Sequence, residues 1–427
     1  MKNLILVHLE SVSELILNTN LKLFPNISKI IQESSYYKNY YSSATSTLMV
    51  ISDLCYGGMY REKCTRLESN FNKIGNYNTL FDELEMRGYC TKGIIWPRIV
   101  TYGKMVNGHI FGKNMKVDAM ESYAKFIENI ENSIKTEEPF ALFIANFASH
   151  ISYRGAEEAK NRNSYERWKE GYQKIDDTCG KIFELLKKTG KEKDTVVVLY
   201  GDHGDDYWGH RLHNGYTHAI EPYSSIIHTP LVIWEMTEKP KIDYKLTSSL
   251  DIKTKIQDIL FEQQNENNRQ HIFSRNIYAN QKNDVMSLSK GYAVANEEYI
   301  LLVSIRGLEL YNMDMDPANT CNLLEFFSMD PEGKITYCSN YTDIRSMHFR
   351  DFFTDKEIRH LKQVYRQLRK DLLYETQKIY EEAEKSVKER DRELNFKRIN
   401  RSHYFNMYNK AFIDKIEKWF DNITFMR

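Results

Sequence analysis

The eleven residues YGDHGDDYWGH, Tyr200 to His210, hold three aspartates and two histidines. They follow an apolar run, DTVVVLY, so Asp202 and His203 stand where a buried segment comes to an end. A carboxylate beside an imidazole is good ligation for a divalent metal such as Zn2+ or Mn2+. A second carboxylate, Glu10, closes another apolar run in LVHLESVSE. Between the two lies a hydroxyl cluster, YYSSATSTLMV, Tyr40 to Val50. Such clusters ordinarily cap the helix that follows. A hydroxyl becomes a nucleophile when a metal or a base lowers its effective pKa. A metal on Glu10, Asp202 and His203 would do that for Thr45 or Thr47, and a nucleophile at a helix N-terminus gains from the local positive potential as well.

Histidines supply the rest. His150, in FIANFASHISY, is placed to contact a transferring phosphoryl group or to protonate a leaving group, or to serve only as a structural hydrogen-bonder. His210, His213 and His218 follow the Asp-His pair, and one or two of them are expected to line the pocket while the others are solvated. Arg98 in IIWPRIV and Lys104 are candidate clamps for anionic oxygens. Asp205 and Asp206 read as solvated or outer acids.

These groups need a scaffold that brings distant segments to one place. NLILVHL (Asn3 to Leu9), KGII (Lys92 to Ile95), FALFIANF (Phe140 to Phe147), DTVVVLY and TPLVIWE (Thr229 to Glu235) read as buried strands. FPNISKIIQESS (Phe24 to Ser35), NTLFDELEMRGY (Asn78 to Tyr89), Ser164 to Gly190 and SLDIKTKIQDIL (Ser249 to Leu260) read as helices. The second of these opens on an N-cap candidate and stops at Gly88; the third stops at Gly190. Alternation of this kind predicts an α/β fold, a mostly parallel central sheet with helices on both faces. Ligands in such folds gather beyond the carboxyl ends of the strands, where Glu10, His150 and Asp202 all fall. GYAVANEEYILLVSIRGLELYNMD predicts a small antiparallel subdomain. From about Thr354, Ile358, Leu361, Val364, Tyr365, Leu368 and Leu372 recur at helical spacing. The expected organisation is a catalytic α/β domain over 1–265, an antiparallel subdomain packed on it over 266–350, and a helical tail over 351–427.

Bulk properties narrow the class. Lys plus Arg equals Asp plus Glu at 59 each, so no net field favours nucleic acid or an anionic membrane. The six cysteines are scattered without a CxxC, the pattern of reduced thiols rather than a metal finger. No window reaches the roughly 18 consecutive apolar residues of a membrane span, and MKNLILVHLES lacks a cleavage site for a signal peptide. The expectation is a soluble, cytoplasmic protein. Its basic and acidic tail is expected to be a solvated helix or a homo-oligomer interface.

The residues also resemble a known family. LVHLES, FPNISKIIQESSYYKNYYSS, NTLFDELEMRGYCTKGI, FASHISY, KIDDTCGKIFELLKKTGKEKDTVVVLYGDHGDD and LELYNMDMDPANTCNLL (Leu308 to Leu324) stand in the order found in the sulfatase branch of the alkaline phosphatase superfamily. The resemblance implies that superfamily's fold for nearly all of the chain up to Leu324. Two departures bear on function. Sulfatases carry a Cys-x-Pro-Ser-Arg motif whose cysteine or serine is matured to formylglycine, where this chain has SSATSTLMVISD. Their paired N-terminal aspartates, which bind calcium, are here Glu10 and Ser11. The set Glu10, a threonine, Asp202 and His203 is similar instead to that of lipoteichoic acid synthases and phosphoethanolamine transferases. SSATST also resembles the threonine motif of the latter, which puts Thr45 ahead of Thr47.

The resemblance implies one divalent cation, Mn2+ or Zn2+ rather than Ca2+ or Mg2+, on Glu10, Thr45, Asp202 and His203. Thr45 would take a phosphoryl group from a small-molecule or glycan phosphoester, giving a hydrolase or a phosphotransferase. His150, His213 and His218 would assist the chemistry, and Arg98 and His210 would bind substrate. A sulfatase acting on a sulfate ester and a non-catalytic binding protein that kept the fold are the alternatives.

Overall fold

A computed structural model describes residues 1–57, 78–99, 102–107, 110–137, 139–150, 164–206, 209–210, 218, 220–265, 268–276, 291–304, 307–326, 334–338, 344–348 and 353–394. The chain divides into two compact units: residues 1–218 with 225–269, and residues 219–224 with the chain from Gln270 onward.

The first unit is built on an eight-stranded sheet. Its strands are β1 (Asn3–Leu9), β2 (Ser35–Tyr37), β4 (Cys90–Trp96), β5 (Lys116–Ala119), β6 (Phe140–Asn146), β7 (Thr195–Gly201), β8 (Leu231–Trp234) and β9 (Lys241–Asp243). The short β3 (Tyr40–Tyr41) and β10 (Thr247–Ser248) pair with each other. The order across the sheet is β5-β4-β6-β1-β7-β8-β2-β9, and only β8 runs against the rest. β1 lies at the centre, between β6 and β7.

Helices cover both faces, as the alternation predicts. These are α1 (Glu14–Thr19), α2 (Pro25–Gln32), α3 (Thr47–Tyr56), α4 (Leu80–Met86), α5 (Tyr102–Asn107), α6 (Tyr123–Ile134), α7 (Ser164–Thr189) and α8 (Ile252–Phe261). Side chains alternate along a strand, and β1 uses the alternation fully. Ile5, Val7 and Leu9 join the core formed with α1, α2, α6 and α7. Leu4, Leu6 and His8 point the other way, where Phe143 of β6 meets Phe81 of α4, with ring centroids 6.5 Å apart, and lies near His8. Glu10, two residues beyond His8, emerges toward that second face. Local signals set the helix ends. The helix read from Asn78 is capped by Thr79, whose hydroxyl and backbone close a reciprocal box with Asp82, and α7 ends just before Gly190, whose φ is +69°.

The second unit holds the antiparallel sheet that the sequence predicts: β11 (Ile272–Asn276), β12 (Gly291–Ala295), β13 (Tyr299–Ser304) and β14 (Gly307–Asn312), paired in chain order. A two-stranded ribbon, β15 (Lys334–Cys338) and β16 (Ile344–His348), follows. The helix α9 (Asp355–Leu394) packs on β12 and β13 and buries Ile358, Leu361, Val364, Tyr365, Leu368 and Leu372. The apolar stripe that the sequence offers to an oligomeric partner is thus covered, over these residues, by the helix's own unit. No described helix is long and apolar enough to cross a membrane.

Candidate active site

Strand register creates the site. Leu9 at the end of β1 is level with Asn146 of β6 and Gly201 of β7, so Glu10 and Asp202 leave the sheet side by side. Both are fully buried, as is His203. The Asp202 Oδ1 accepts from the backbone N–H of Ser11 at 3.0 Å, while Oδ2 has no hydrogen-bond donor among the described residues. That orphan oxygen lies 3.1 Å from His203 Nε2. The His203 Nδ1 is 3.0 Å from the Gly204 carbonyl, which can only accept. The proton therefore sits on Nδ1, and the Nε2 lone pair faces the carboxylates. Glu10 Oε1 is 3.9 Å from the same Nε2.

The hydroxyl that completes this cluster belongs to Thr47. Its Oγ1 lies 3.1 Å from His203 Nε2 and 3.5 Å from Glu10 Oε2. Thr45, which the sequence places first, is fully buried and its hydroxyl makes no hydrogen bond among the described residues. The reason is where the helix starts. Ser46 is the extended N-cap residue and Thr47 the first residue of α3, so the positive end of the helix falls on Thr47 rather than Thr45. The preceding loop is pinned: Ser43 donates to Asp53 at 2.5 Å and receives the Ser249 hydroxyl at 2.7 Å, and Ser42 donates to the Asp202 carbonyl.

Backbone strain marks the same spot. Ser11 has φ +58°, a left-handed conformation rare for a residue with a side chain. It aims its N–H at Asp202 and its hydroxyl at Glu10 Oε1, 3.3 Å away. Tyr172 of α7 donates to the Ser11 carbonyl at 2.6 Å, and Ser149 to the Glu10 carbonyl at 2.7 Å. Gly204 has a separate role: a Cβ there would stand 2.1 Å from the Ser225 carbonyl oxygen. The glycine is required by close approach and not by a turn of positive φ.

Two further imidazoles are brought in. His218 stacks on His203, with centroids 4.1 Å apart, and its Nδ1–H donates to Asp205 at 3.0 Å. His150 meets His218 edge-on at 5.6 Å. His210 is buried and held through Nδ1 by Asp206. Of the two readings of Asp205 and Asp206, solvated or outer acids, the structure shows the second: both are buried partners of histidines. Arg98 is exposed and lies over the Tyr102 ring, 4.9 Å from its centre. His213 and the side chain of Lys104 lie outside the described residues.

Sequence reading passed over His8. It is fully buried in β1, with Nε2 3.0 Å from Glu10 Oε2 and Nδ1 2.9 Å from the Tyr200 hydroxyl. Its signal was present: a histidine two residues before the acid, in a strand otherwise apolar from Leu4 to Leu9.

The electrostatics fit a cation. Burial works against charge on Glu10, but His150, His8 and His203 hold its carboxyl well below the ordinary range. Burial and the neighbouring Glu10 push Asp202 up. Burial lowers His203, and it takes His150 down to about 4, so both rings are neutral and available as ligands or acceptors near pH 7. Two buried carboxylates, one with an orphan oxygen, leave a negative centre that a divalent cation neutralises. Geometry alone groups Glu10, His203 and His218, and also His8, Glu10 and Asp202, as possible ligand sets.

Residues 2–260 match the family model for sulfatases. The chain belongs to the sulfatase family. It is therefore an enzyme, a hydrolase or phosphotransferase of the alkaline phosphatase superfamily. No curated protein matches this sulfatase-family chain. Solved structures share its fold at low identity. A protein of the alkaline phosphatase superfamily from Vibrio parahaemolyticus is 17% identical, with a TM-score of 0.55 over 75% of this chain and 82% of that one. The lipoteichoic acid synthase LtaP from Listeria monocytogenes is 14% identical, with a TM-score of 0.53 over 73% and 85%. A phosphonate monoester hydrolase from Agrobacterium radiobacter is 11% identical, with a TM-score of 0.55 over 76% and 92%. Sulfatase-family enzymes use a divalent metal, and in this member the buried acids and histidines beyond β1 and β7 form groups that could hold one.

Proposed function

We propose that the protein transfers a phosphoryl-type group from a small-molecule or glycan phosphoester through a covalent phospho-threonine on Thr47, with Glu10, Thr47, Asp202 and His203 holding one divalent cation, Zn2+ or Mn2+. The observation that carries the reading is the Thr47 hydroxyl, set against the bare Nε2 of His203 and the carboxylate of Glu10 at the start of α3. A cation held there makes that hydroxyl more alkoxide-like and offsets charge on the attacked phosphoryl oxygens.

The chain's own residues do the remainder. Thr47 Oγ1 releases its proton to solvent and attacks phosphorus, an O–P bond forms, and the bond to the leaving oxygen breaks. His218, its Nδ1–H held by Asp205 and its Nε2 protonated as well, donates the Nε2 proton to the leaving oxygen, and His150 donates its one ring N–H to a non-bridging oxygen. The α3 N-terminus adds favourable potential for the anion. Water then attacks phosphorus and frees Thr47, or an acceptor hydroxyl does so in a transfer.

The family match keeps sulfate esters as the second reading. Against it, residues 42–54 contain no cysteine, and none of their serines stands in the Pro-Ser-Arg context in which a cysteine or serine is converted to formylglycine; Cys55 is buried at the far end of α3. The test is turnover of a chromogenic phosphodiester and a chromogenic sulfate ester by the wild type and by Thr47→Ala. The phosphodiester is the expected substrate and Thr47→Ala the inactive variant. Preference for the sulfate ester, or an active Thr47→Ala, sinks the reading.

A further inference from the structure

One buried imidazole has no part in the chemistry above. His8 is fully enclosed, with Phe147 and Phe143 ring centres 5.1 Å and 6.1 Å away. Its Nε2 is 3.0 Å from Glu10 Oε2 and 3.5 Å from Asp202 Oδ2. A carboxylate only accepts, so Nε2 carries a proton, and Nδ1 is hydrogen-bonded to the Tyr200 hydroxyl at 2.9 Å. A valine or leucine would fill this position in NLILVHL without two buried hydrogen bonds to satisfy. The polar side chain must therefore act on something.

What it acts on is Glu10. Oε2 receives the His8 N–H and, at 3.5 Å, the Thr47 hydroxyl. Oε1 receives the Ser11 hydroxyl at 3.3 Å and is the oxygen nearer His203. Asp202 is divided the same way, with Oδ1 taken by the Ser11 N–H and Oδ2 left over. Each acid thus has one oxygen held by a buried N–H, Glu10 Oε2 by His8 and Asp202 Oδ1 by Ser11, while Glu10 Oε1 meets a hydroxyl that can turn to another acceptor. Ca2+ takes about six to eight oxygens and often both oxygens of a carboxylate, whereas Zn2+ takes about four nitrogen or oxygen donors.

We propose that His8, locked by Tyr200, is a positioning residue that makes Glu10 a one-oxygen ligand and so sets the site's preference for Zn2+ over Ca2+. The inference rests on the metal site of the proposed function. It is tested on the full chain, stripped of metal and titrated calorimetrically with Zn2+ alone and with Ca2+ alone. The chains compared are the wild type, His8→Leu, His8→Gln, which keeps an N–H donor, and Tyr200→Phe. The expected result is a zinc affinity about 10- to 100-fold weaker in His8→Leu, with calcium affinity unchanged or raised, so that the ratio narrows. His8→Gln recovers most of the ratio, and Tyr200→Phe falls between. A wild-type ratio in His8→Leu, or no recovery in His8→Gln, overturns the inference. If His8→Leu does not fold, Tyr200→Phe decides, since it removes one oxygen, and an unmoved ratio there also overturns it. A wild type that binds neither cation overturns the metal site itself, an outcome distinct from a zinc-binding wild type with an unmoved His8 ratio.

Discussion

Gly204→Ala probes how the Asp-His pair is aimed. The new Cβ would stand 2.1 Å from the Ser225 carbonyl oxygen and 2.6 Å from Ser13 Cβ. Neither neighbour is a flexible side-chain end, and the Gly204 N–H donates to the Ile226 carbonyl at 2.7 Å. The two segments must part by about 1 Å to reach ordinary contact, which stretches that bond. Overpacking costs about 1–3 kcal/mol, and the weakened buried bond adds about 1 kcal/mol. Each kcal/mol lowers the Tm of a domain this size by about 2–4 °C, so a fall of roughly 5–15 °C is expected. The His203 Nδ1–H binds the carbonyl of Gly204 itself at 3.0 Å, so the shift turns the ring. Zinc affinity should drop about tenfold or more. Thermal unfolding without metal and a calorimetric zinc titration measure the two effects. A Tm within about 1 °C of wild type together with unchanged zinc affinity would refute the reasoning.

Other outcomes follow from the same geometry. Thr47→Ala is expected to lower kcat by about a thousandfold or more, and Thr45→Ala only a fewfold; steady-state kinetics on one phosphodiester separates them. Chelation should abolish turnover and added Zn2+ restore it, and zinc at 100 times its Kd should stabilise the fold by about 2.7 kcal/mol, read as a rise in Tm. Asp205→Ala frees the His218 ring, so kcat should fall about 10- to 100-fold with zinc affinity nearly unchanged. Glu14 supplies a pH test of stability. Burial opposes its charge, but His228 and Lys38, with the Tyr36 hydroxyl, hold its carboxyl below the ordinary 4.5. A lowered folded pKa means stability that is present above pH 4.5 and lost as pH falls through the folded value. Glu14→Gln should therefore be less stable than wild type at pH 7, with the gap closing on acidification; a gap constant down to pH 3 contradicts the assignment.

Much of this is legible in the sequence. Apolar runs ending in Glu10 and Asp202 located the strand ends, because buried parallel strands read as continuous hydrophobic segments and their carboxyl edge collects ligands. The choice between Thr45 and Thr47 was not legible in that way. It depends on which residue begins α3, and helix starts are set by cap geometry that Ser43, Ser46 and Thr47 could each supply. Asp205 and Asp206 read equally as solvated or outer acids, because their pairing with His218 and His210 is a matter of spatial contact that no residue spacing fixes. His8 was hidden by the strand around it: one polar residue in an apolar run reads as an exception until its neighbour across the sheet, Tyr200, is known. The helical stripe of α9 was correctly read as apolar, but periodicity cannot say whether its own chain or another covers it.

The central claim is the covalent intermediate on Thr47. Enzyme loaded with Zn2+ or Mn2+ is mixed with a chromogenic phosphodiester, quenched in acid within one turnover and digested for peptide mass spectrometry. One phosphoryl group on Thr47, absent from Thr47→Ala and present in Thr45→Ala, is the result the account predicts. Turnover with Thr47 unmodified, or the group found on Thr45 instead, would contradict it.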